Sequence, residues 1–427
     1  MLRFRAVASA ARSFFSAIPA APADPVFGIA LAYKNDPVPE AQKVNLVVGA
    51  YRDSAGLPVV LPSVERAARL LSESETSSDG HHEYLPIDGL PAFRQGAAQV
   101  MFGDECMSLL AGRLYTTQAI SGTGALRVCL DFVRRHLGER TVYYPQQTWP
   151  IHPNVCAEAG LPAKAYRYLA TTGGTVRLDA EAMLADLTAA PEGSVILLHV
   201  CAHNPTGVDP TPAEWERIAD VIAERRLLPF FDSAYQGFAT GDLARDAHAV
   251  RAFARRGLEM FVAQSFAKNM GLYGERVGAL HVVSNDPTGL DHMGQQLRRA
   301  IRSSYSNPPA YGARLAAAIF QDPALFAQWD EDIKLMSGRI AGLRQSLRSA
   351  LEARQTPGDW SVITSQIGMF AYLGLSDAQC EVMMSKHHVY MAKNGRISVP
   401  GLNETNIAQV ADAIHDVVTA ASTRAAL

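Results

Sequence analysis

Side chains of five different chemistries follow three evenly spaced apolar runs. Asn204 lies in C-A-H-N-P-T-G, after the run V-I-L-L-H-V at 195–200. Asp232 ends the run L-L-P-F-F-D at 227–232, and Tyr235 stands in the S-A-Y-Q-G that follows. Lys268 and Arg276 belong to S-F-A-K-N-M-G-L-Y-G-E-R, reached from the run M-F-V-A-Q-S-F at 260–266. A lysine partly withdrawn from water loses its proton more readily and can form a Schiff base with a carbonyl. An ionised aspartate can hold a pyridinium nitrogen, the partner that pyridoxal phosphate requires. Taken singly, each residue has an ordinary reading: Asp232 as a helix cap, Lys268 as a solvated loop lysine, Asn204 as a turn former before Pro205. Their joint placement decides for chemistry.

The elements that must position them are legible in the same stretch. The runs recur about every 32 residues, the rhythm of strand, crossover helix and parallel strand. Between the first two, T-P-A-E-W-E-R-I-A-D-V-I-A-E-R-R carries a capping box at Thr211 and Glu214 and Pro212 at the first helical position. Trp215, Ile218, Ala219 and Ile222 fall on one face of that helix. Between the second two, Val250, Phe253 and Ala254 line another helix, stopped by Gly257. Sequential parallel strands send their carboxyl ends to one edge, where open α/β sheets bind ligands. A further element, S-G-T-G at 121–124, opens a helix whose Leu126, Leu130, Val133 and Leu137 share a face. Free backbone N–H groups there suit an anion, although the same letters also make an ordinary turn and cap. The motif lacks the lysine of a Walker loop and the full dinucleotide spacing, so neither ATP nor NAD is expected.

Composition bounds the rest. A chain of 427 residues, 48% hydrophobic and 19% charged, is globular and long enough for two to three domains. With 39 basic against 42 acidic residues the net charge is -3, and no whole-protein field recruits nucleic acid or an anionic membrane. No apolar run approaches the ~18 residues needed to span a bilayer. Cys106, Cys129, Cys156, Cys201 and Cys380 lie far apart and are odd in number, which favours a reducing compartment. Cys201 and His203 form a C-x-H without a second ligand pair, so no metal is expected. The first 23 residues hold Arg3, Arg5 and Arg12 and no acid, with Phe4, Val7, Ala11, Phe14, Phe15 and Ile18 on one helical face. That is the composition of a mitochondrial transit peptide, expected over residues 1–20 and directing the chain to the matrix; the alternative is a frayed terminus.

The blocks around these residues resemble the class I aspartate aminotransferases, mitochondrial forms included. S-F-A-K-N-M-G-L-Y-G-E-R-V-G, H-N-P-T-G at 203–207 and F-D-S-A-Y-Q-G-F at 231–238 carry the likeness. V-G-A-Y-R at 48–52, H-E-Y-L-P-I at 82–87, Y-S-N-P-P at 305–309, G-A-R at 312–314 and N-G-R-I-S at 394–398 extend it from about Asp24 to the C-terminus. The resemblance implies the α/β type I pyridoxal-phosphate fold, a mostly parallel central sheet flanked by helices. It implies a large domain at 58–324 and a small discontinuous α/β domain from 24–57 and 325–427. Lys268 is then the Schiff-base lysine and proton shuttle, Asp232 the pyridinium partner, His152 the histidine behind it, and Trp149 the group stacked on the ring. Asn204 and Tyr235 bond the phenolic oxygen. Ser121, Gly122, Thr123, Ser265 and Arg276 take the phosphate, joined by Tyr84 from the other subunit of a homodimer. Arg396 takes the substrate α-carboxylate and Arg302, also from the other subunit, the distal carboxylate, since a planar guanidinium grips a carboxylate in a fork. Gly49 resembles the glycine whose backbone approaches the substrate, and Ile29 and Phe370 stand where the family has apolar pocket or entrance residues.

The sequence departs from the family at Ala267, where many relatives have a serine toward the phosphate, at Val47, where glycine is common, and at Ile151, where asparagine is usual. At Ala267, where mitochondrial forms are similar, one phosphate ligand is expected to be absent; the departures otherwise touch packing near the substrate carboxylate and cofactor face rather than the chemistry. The expectation is an aminotransferase moving an amino group between L-aspartate and 2-oxoglutarate to give oxaloacetate and L-glutamate. An aromatic or broad-specificity aminotransferase is the alternative enzyme. A non-catalytic scaffold has no use for Lys268, Asp232 and both arginines.

Overall fold

The computed structural model describes residues 14–21, 24, 27–74, 83–172 and 175–425. The apolar runs become the middle of a mixed sheet. Among the described residues its strands are β1 (Leu114–Ile120), β2 (Val142–Pro145), β3 (Ala163–Tyr166), β4 (Val195–His199), β5 (Leu228–Ser233), β6 (Met260–Ser265) and β7 (Val277–Val283). Their spatial order is β1-β7-β6-β5-β4-β2-β3. Only β7 runs antiparallel to its neighbours; the other pairings are parallel. The register sets His199, Asp232 and Ala263 side by side, so the loops that follow β4, β5 and β6 leave the sheet level with one another.

Both faces of the central strands are buried, which is why these strands read as continuous apolar runs rather than alternating ones. Ile196, Leu198, Phe231 and Val262 pack into one cluster with Trp215, Ile218 and Ile222 of the helix Pro212–Glu224 and Val250 and Phe253 of the helix His248–Arg255. Val195, Leu197, Phe230 and Phe261 pack on the opposite face with Leu126 and Leu130 of the helix Ser121–Phe132 and Leu297 of the helix Pro287–Ser304. Each large side chain so buried contributes about 1.5–3 kcal/mol. The expected capping box is formed: Thr211 Oγ1 accepts from Glu214 N, and Thr211 N donates to the Glu214 carboxylate at 2.7 Å. The helix that S-G-T-G opens runs on through a wider turn at Val133–Leu137 and stops at Gly138, whose φ is 82°.

Chain ends meet beside this sheet. Val44–Asn45 pairs in parallel with Val389–Tyr390, and Phe370–Tyr372 pairs antiparallel with Arg396–Ser398. The helix Pro323–Ala353 packs Trp329, Ile333, Met336, Ile340 and Leu347 into a third cluster that also takes Phe266 from the loop after β6 and Val399 from near the C-terminus. Of the amphipathic face read near the start, Phe4, Val7 and Ala11 lie outside the described residues, and Phe14, Phe15 and Ile18 are exposed. All of the cysteines are free and buried. No group that could hold a metal ion occurs among the described residues, and none of their helices is long and apolar enough to cross a membrane.

Candidate active site

A cavity of about 390 Å³ opens at the carboxyl edge of β4, β5 and β6. One end is built for an anion. Ser121, Gly122 and Thr123 begin a twelve-residue helix, whose first N–H groups have no partner within it. Ser121 sits at φ 63°, and its backbone presses on β7 so closely that a Cβ on Gly278 would lie 2.7 Å away. Glycine at 278 therefore lets the turn reach the sheet. Ser121 Oγ and Ser265 Oγ share a hydrogen bond at 2.9 Å, and Ser265 Oγ accepts from Ala267 N. Arg276, whose Nη1 donates to Tyr273 O, lines the same end.

The middle of the cavity carries the ionisable groups. Asp232 is buried at the tip of β5; burial alone would raise its pKa, but the His152 hydrogen bond at 2.9 Å, with the positive charge of Lys268 nearby, holds it below the usual carboxylate value. Lys268 stands with its amine 5.2 Å from the centre of the Tyr235 ring. Burial lowers the lysine pKa, Asp232 opposes that, and Arg276 adds to it. The neutral amine a nucleophile needs is thus easier to reach than on an exposed lysine. Burial raises the Tyr235 hydroxyl, which accepts from Asn204 Nδ2 at 3.5 Å. Trp149 forms part of the wall.

The far end is closed by Arg396, which is 5% exposed. Its Nη2 donates to Val47 O at 2.9 Å and its Nη1 to Asn204 Oδ1 at 3.4 Å, while Nε has no partner. The guanidinium lies 4.3 Å from the centre of the Phe370 ring, and burial lowers its pKa, opposed by the Tyr235 charge. Gly49 faces that ring: a Cβ there would sit 2.7 Å from Phe370 Cζ. A buried cation with a free N–H, beside a glycine that keeps the space open, is prepared for a carboxylate.

Tyr84 and Arg302 are not in this cavity. Tyr84 is 81% exposed, in a surface hollow with Tyr305, Ser306 and Asn307. Arg302 is exposed on the last turn of its helix and donates to Ser306 Oγ and Asn307 Oδ1. Ile29 is half-buried on the helix Phe27–Asn35 and does not line the cavity, whereas Asp24, one turn earlier in the chain, does. Among the departures, Ile151 lines the cavity beside Pro150, Val47 is fully buried and Ala267 nearly so.

Sequence reading missed a relay behind Asp232. Asn204 N can only donate, so His199 Nδ1 accepts from it at 3.4 Å. His199 Nε2–H then donates to Thr148 Oγ1 at 3.3 Å, Thr148 O–H to His152 Nδ1 at 2.7 Å, and His152 Nε2–H to Asp232. Burial lowers His199 to about 3, which keeps it neutral, and the Asn204 N–H fixes its tautomer and so that direction. The signal was available: His199 is the last residue of β4, on the same edge as Asp232. A second hollow of about 420 Å³, at the amino ends of the same strands, is lined by Arg140, Glu192, Arg226 and Glu259 and has no lysine or hydroxyl nucleophile in its walls.

The family of class I and II aminotransferases matches residues 41–414. The cytoplasmic aspartate aminotransferase of Oryza sativa subsp. japonica is 48% identical over 412 residues, which are 96% of this chain and 99% of that protein. The mitochondrial aspartate aminotransferase of Dictyostelium discoideum is 46% identical over 393 residues, covering 92% and 90%. Among solved structures, the aromatic-amino-acid aminotransferase of Burkholderia pseudomallei, covalently bound to pyridoxal phosphate, superposes with a TM-score of 0.90 at 38% identity, over 95% of this chain and all of that one. The chain belongs to the class I and II aminotransferases.

Proposed function

We propose that this chain is an L-aspartate:2-oxoglutarate aminotransferase that uses pyridoxal phosphate. The observation that carries the reading is the line of groups across one cavity: an anion-binding helix start, Asp232 held ionised, Lys268 with its pKa lowered, and Arg396 buried with a free N–H. These fit the cofactor at each of its polar positions. Ser121, Gly122, Thr123, Ser265 and Arg276 would hold its phosphate, Asp232 its ring nitrogen, Asn204 and Tyr235 its phenolic oxygen, Trp149 its face and Lys268 its carbonyl carbon. Bound there, it supplies an electron-withdrawing ring that stabilises the carbanion left when the substrate loses its α-proton. With its pKa lowered, the Lys268 amine in its neutral form would take that proton and return it later. Asp232 keeps its charge because His152 donates to it, and the relay through Thr148 and His199 holds His152 in the donating tautomer. Arg396 orients the α-carboxylate, with Gly49 leaving room for the substrate backbone.

The distal carboxylate is assigned to Arg302, and part of the phosphate to Tyr84, both reaching the site from the other subunit of a homodimer. Their exposure within one chain supports this reading, because a selective anion ligand has to be desolvated and neither is. The division into a large domain, 58–324, and a small one, 24–57 with 325–427, is supported by the pairing of residues 44–45 with 389–390. Residues 1–20 are proposed to carry the chain into mitochondria, on their basic, acid-free composition. Fused to a reporter they should direct import, and Arg3, Arg5 and Arg12 changed to glutamate should abolish it; a cytosolic native fusion defeats the assignment.

A preference for aromatic substrates is the second reading, favoured by the apolar Pro150 and Ile151 in the cavity wall. One experiment separates the two. Purified enzyme is assayed with aspartate and with phenylalanine against 2-oxoglutarate, and its visible absorbance is recorded with and without added pyridoxal phosphate. Faster turnover of aspartate and a cofactor-dependent band support the proposal; a higher kcat/KM for phenylalanine replaces it with the second reading.

A further inference from the structure

Arg344 is a guanidinium that the chemistry above does not use. It lies on the helix Pro323–Ala353, is 3% exposed, and pairs with no carboxylate among the described residues. Burial lowers its pKa to about 9. An arginine buried without a counter-ion is costly unless its donors are satisfied. Here Nη1 donates to Ile363 O at 2.8 Å, and Nη2 donates to Gly368 O at 2.8 Å and to Phe370 O, while Nε is left unpaired. All of these acceptors belong to one segment, 363–370.

That segment bridges the two halves of the site. Ile367 N donates to Gly207 O at 2.8 Å, in the turn that carries Asn204. Gly368, at φ 79°, packs so tightly on Ala202 that a Cβ would lie 2.4 Å from the alanine methyl. The Gln366 amide closes the segment on itself, donating to Tyr372 O at 2.9 Å and accepting from Tyr372 N at 2.7 Å. At its end, the Phe370 ring lies beneath the Arg396 guanidinium and edge-on to Tyr235, centroids 5.7 Å apart. Phe370 is therefore fixed on one side by its carbonyl on Arg344 and on the other supports Arg396.

We propose that Arg344 is a positioning residue for carboxylate recognition: it holds segment 363–370 so that Phe370 keeps the Arg396 guanidinium aimed into the cavity. This rests on reading Arg396 as the ligand of the substrate α-carboxylate. An ammonium cannot reach three carbonyls as a planar fork does. Arg344→Lys in the holoenzyme should therefore raise KM for aspartate and for phenylalanine by similar factors, and lower kcat/KM by roughly 10- to 100-fold, the range for one hydrogen bond to a charged group. Turnover at saturation should change far less, and the absorbance of the bound cofactor should be unchanged. Phe370→Leu combined with Arg344→Lys should cost less than the product of the separate losses, because both act through one contact.

A purely structural arginine predicts a lower melting temperature with unchanged kcat/KM per cofactor-loaded site. That outcome, or strictly multiplicative losses in the double variant, overturns the proposal. Arg344→Gln, which retains a neutral donor, is the second variant if the lysine form does not fold. Arg396→Lys is the control. If it leaves both substrates unaffected, the reading of Arg396 fails; if it impairs both while Arg344→Lys and Arg344→Gln do not, only the inference about Arg344 fails.

Discussion

Arg396 and Arg302 carry the same guanidinium in opposite settings. Arg396 is buried, hydrogen-bonded to Val47 and Asn204 and laid on Phe370, with its Nε unpartnered. Arg302 is exposed at a helix end and, among the described residues, bonds only neighbours four and five residues away. In water an arginine pairing with a carboxylate gains about 0–1 kcal/mol, too little to select a substrate. On the proposed reading, the interior of one chain holds the ligand of one substrate carboxylate, and its rim holds the ligand of the other, which a second surface would have to desolvate. Under that proposal, recognition of one substrate end belongs to the fold of one chain and of the other to assembly.

The largest loss should come from the interior. Lys268→Ala should reduce turnover by at least roughly four orders of magnitude and remove the visible band of the lysine-bound cofactor, with circular dichroism unchanged. Near-normal turnover would show that another group moves the proton.

The rim is tested by substrate choice. Removing the partner of a desolvated carboxylate costs roughly 3–5 kcal/mol, so Arg302→Ala should lower kcat/KM for aspartate by roughly two to four orders of magnitude. Phenylalanine lacks the distal carboxylate and should lose far less. Equal losses would make Arg302 a structural residue and erase the contrast with Arg396.

Acid should act on buried histidines of the interior. Burial lowers both His199 and His281, the latter on β7, to about 3 from their ordinary 6.5. Between those values the unfolded chain binds the protons that the folded one refuses, so each histidine lowers stability as pH drops from about 6.5 toward 3, by at most about 1.4 kcal/mol per pH unit, offset in part by Asp209, which burial raises to about 6. Urea midpoints measured from pH 7 to pH 4 should fall accordingly. His281→Asn should flatten the slope, and Arg302→Ala should leave it unchanged. A slope altered by Arg302→Ala would place the rim among the acid-sensitive contacts.

How much of this was legible differs between the same two regions. β4, β5, β6 and the capped helix between the first two of these could be read because apolar runs and a Thr-x-x-Glu cap are local signals. The strands beside Arg396 span only two or three residues, too short to leave a period, so that half was visible through the N-G-R-I-S likeness rather than through pattern. Ile29, on the helix Phe27–Asn35, does not line the cavity of the single chain, whereas Asp24, just before that helix, does. Arg344 gave no signal at all: a basic residue on a long helix reads as solvent-facing, and its burial depends on a segment folded over it from 363–370. The relay behind Asp232 joins residues 148, 152, 199 and 204, whose contacts depend on how two loops meet.

Whether two chains share one site is answered most directly by mixing two inactive variants. Each homodimer of Lys268→Ala lacks its base, and each homodimer of Arg302→Ala lacks its distal carboxylate ligand. In a mixed dimer, one site combines an intact Lys268 with the partner's intact Arg302, and the other carries both lesions. Random exchange makes about half the dimers mixed, so aspartate turnover should recover to about one quarter of wild type. No recovery, with subunit exchange verified by differently tagged chains, would contradict the shared site and place both carboxylate ligands within one chain.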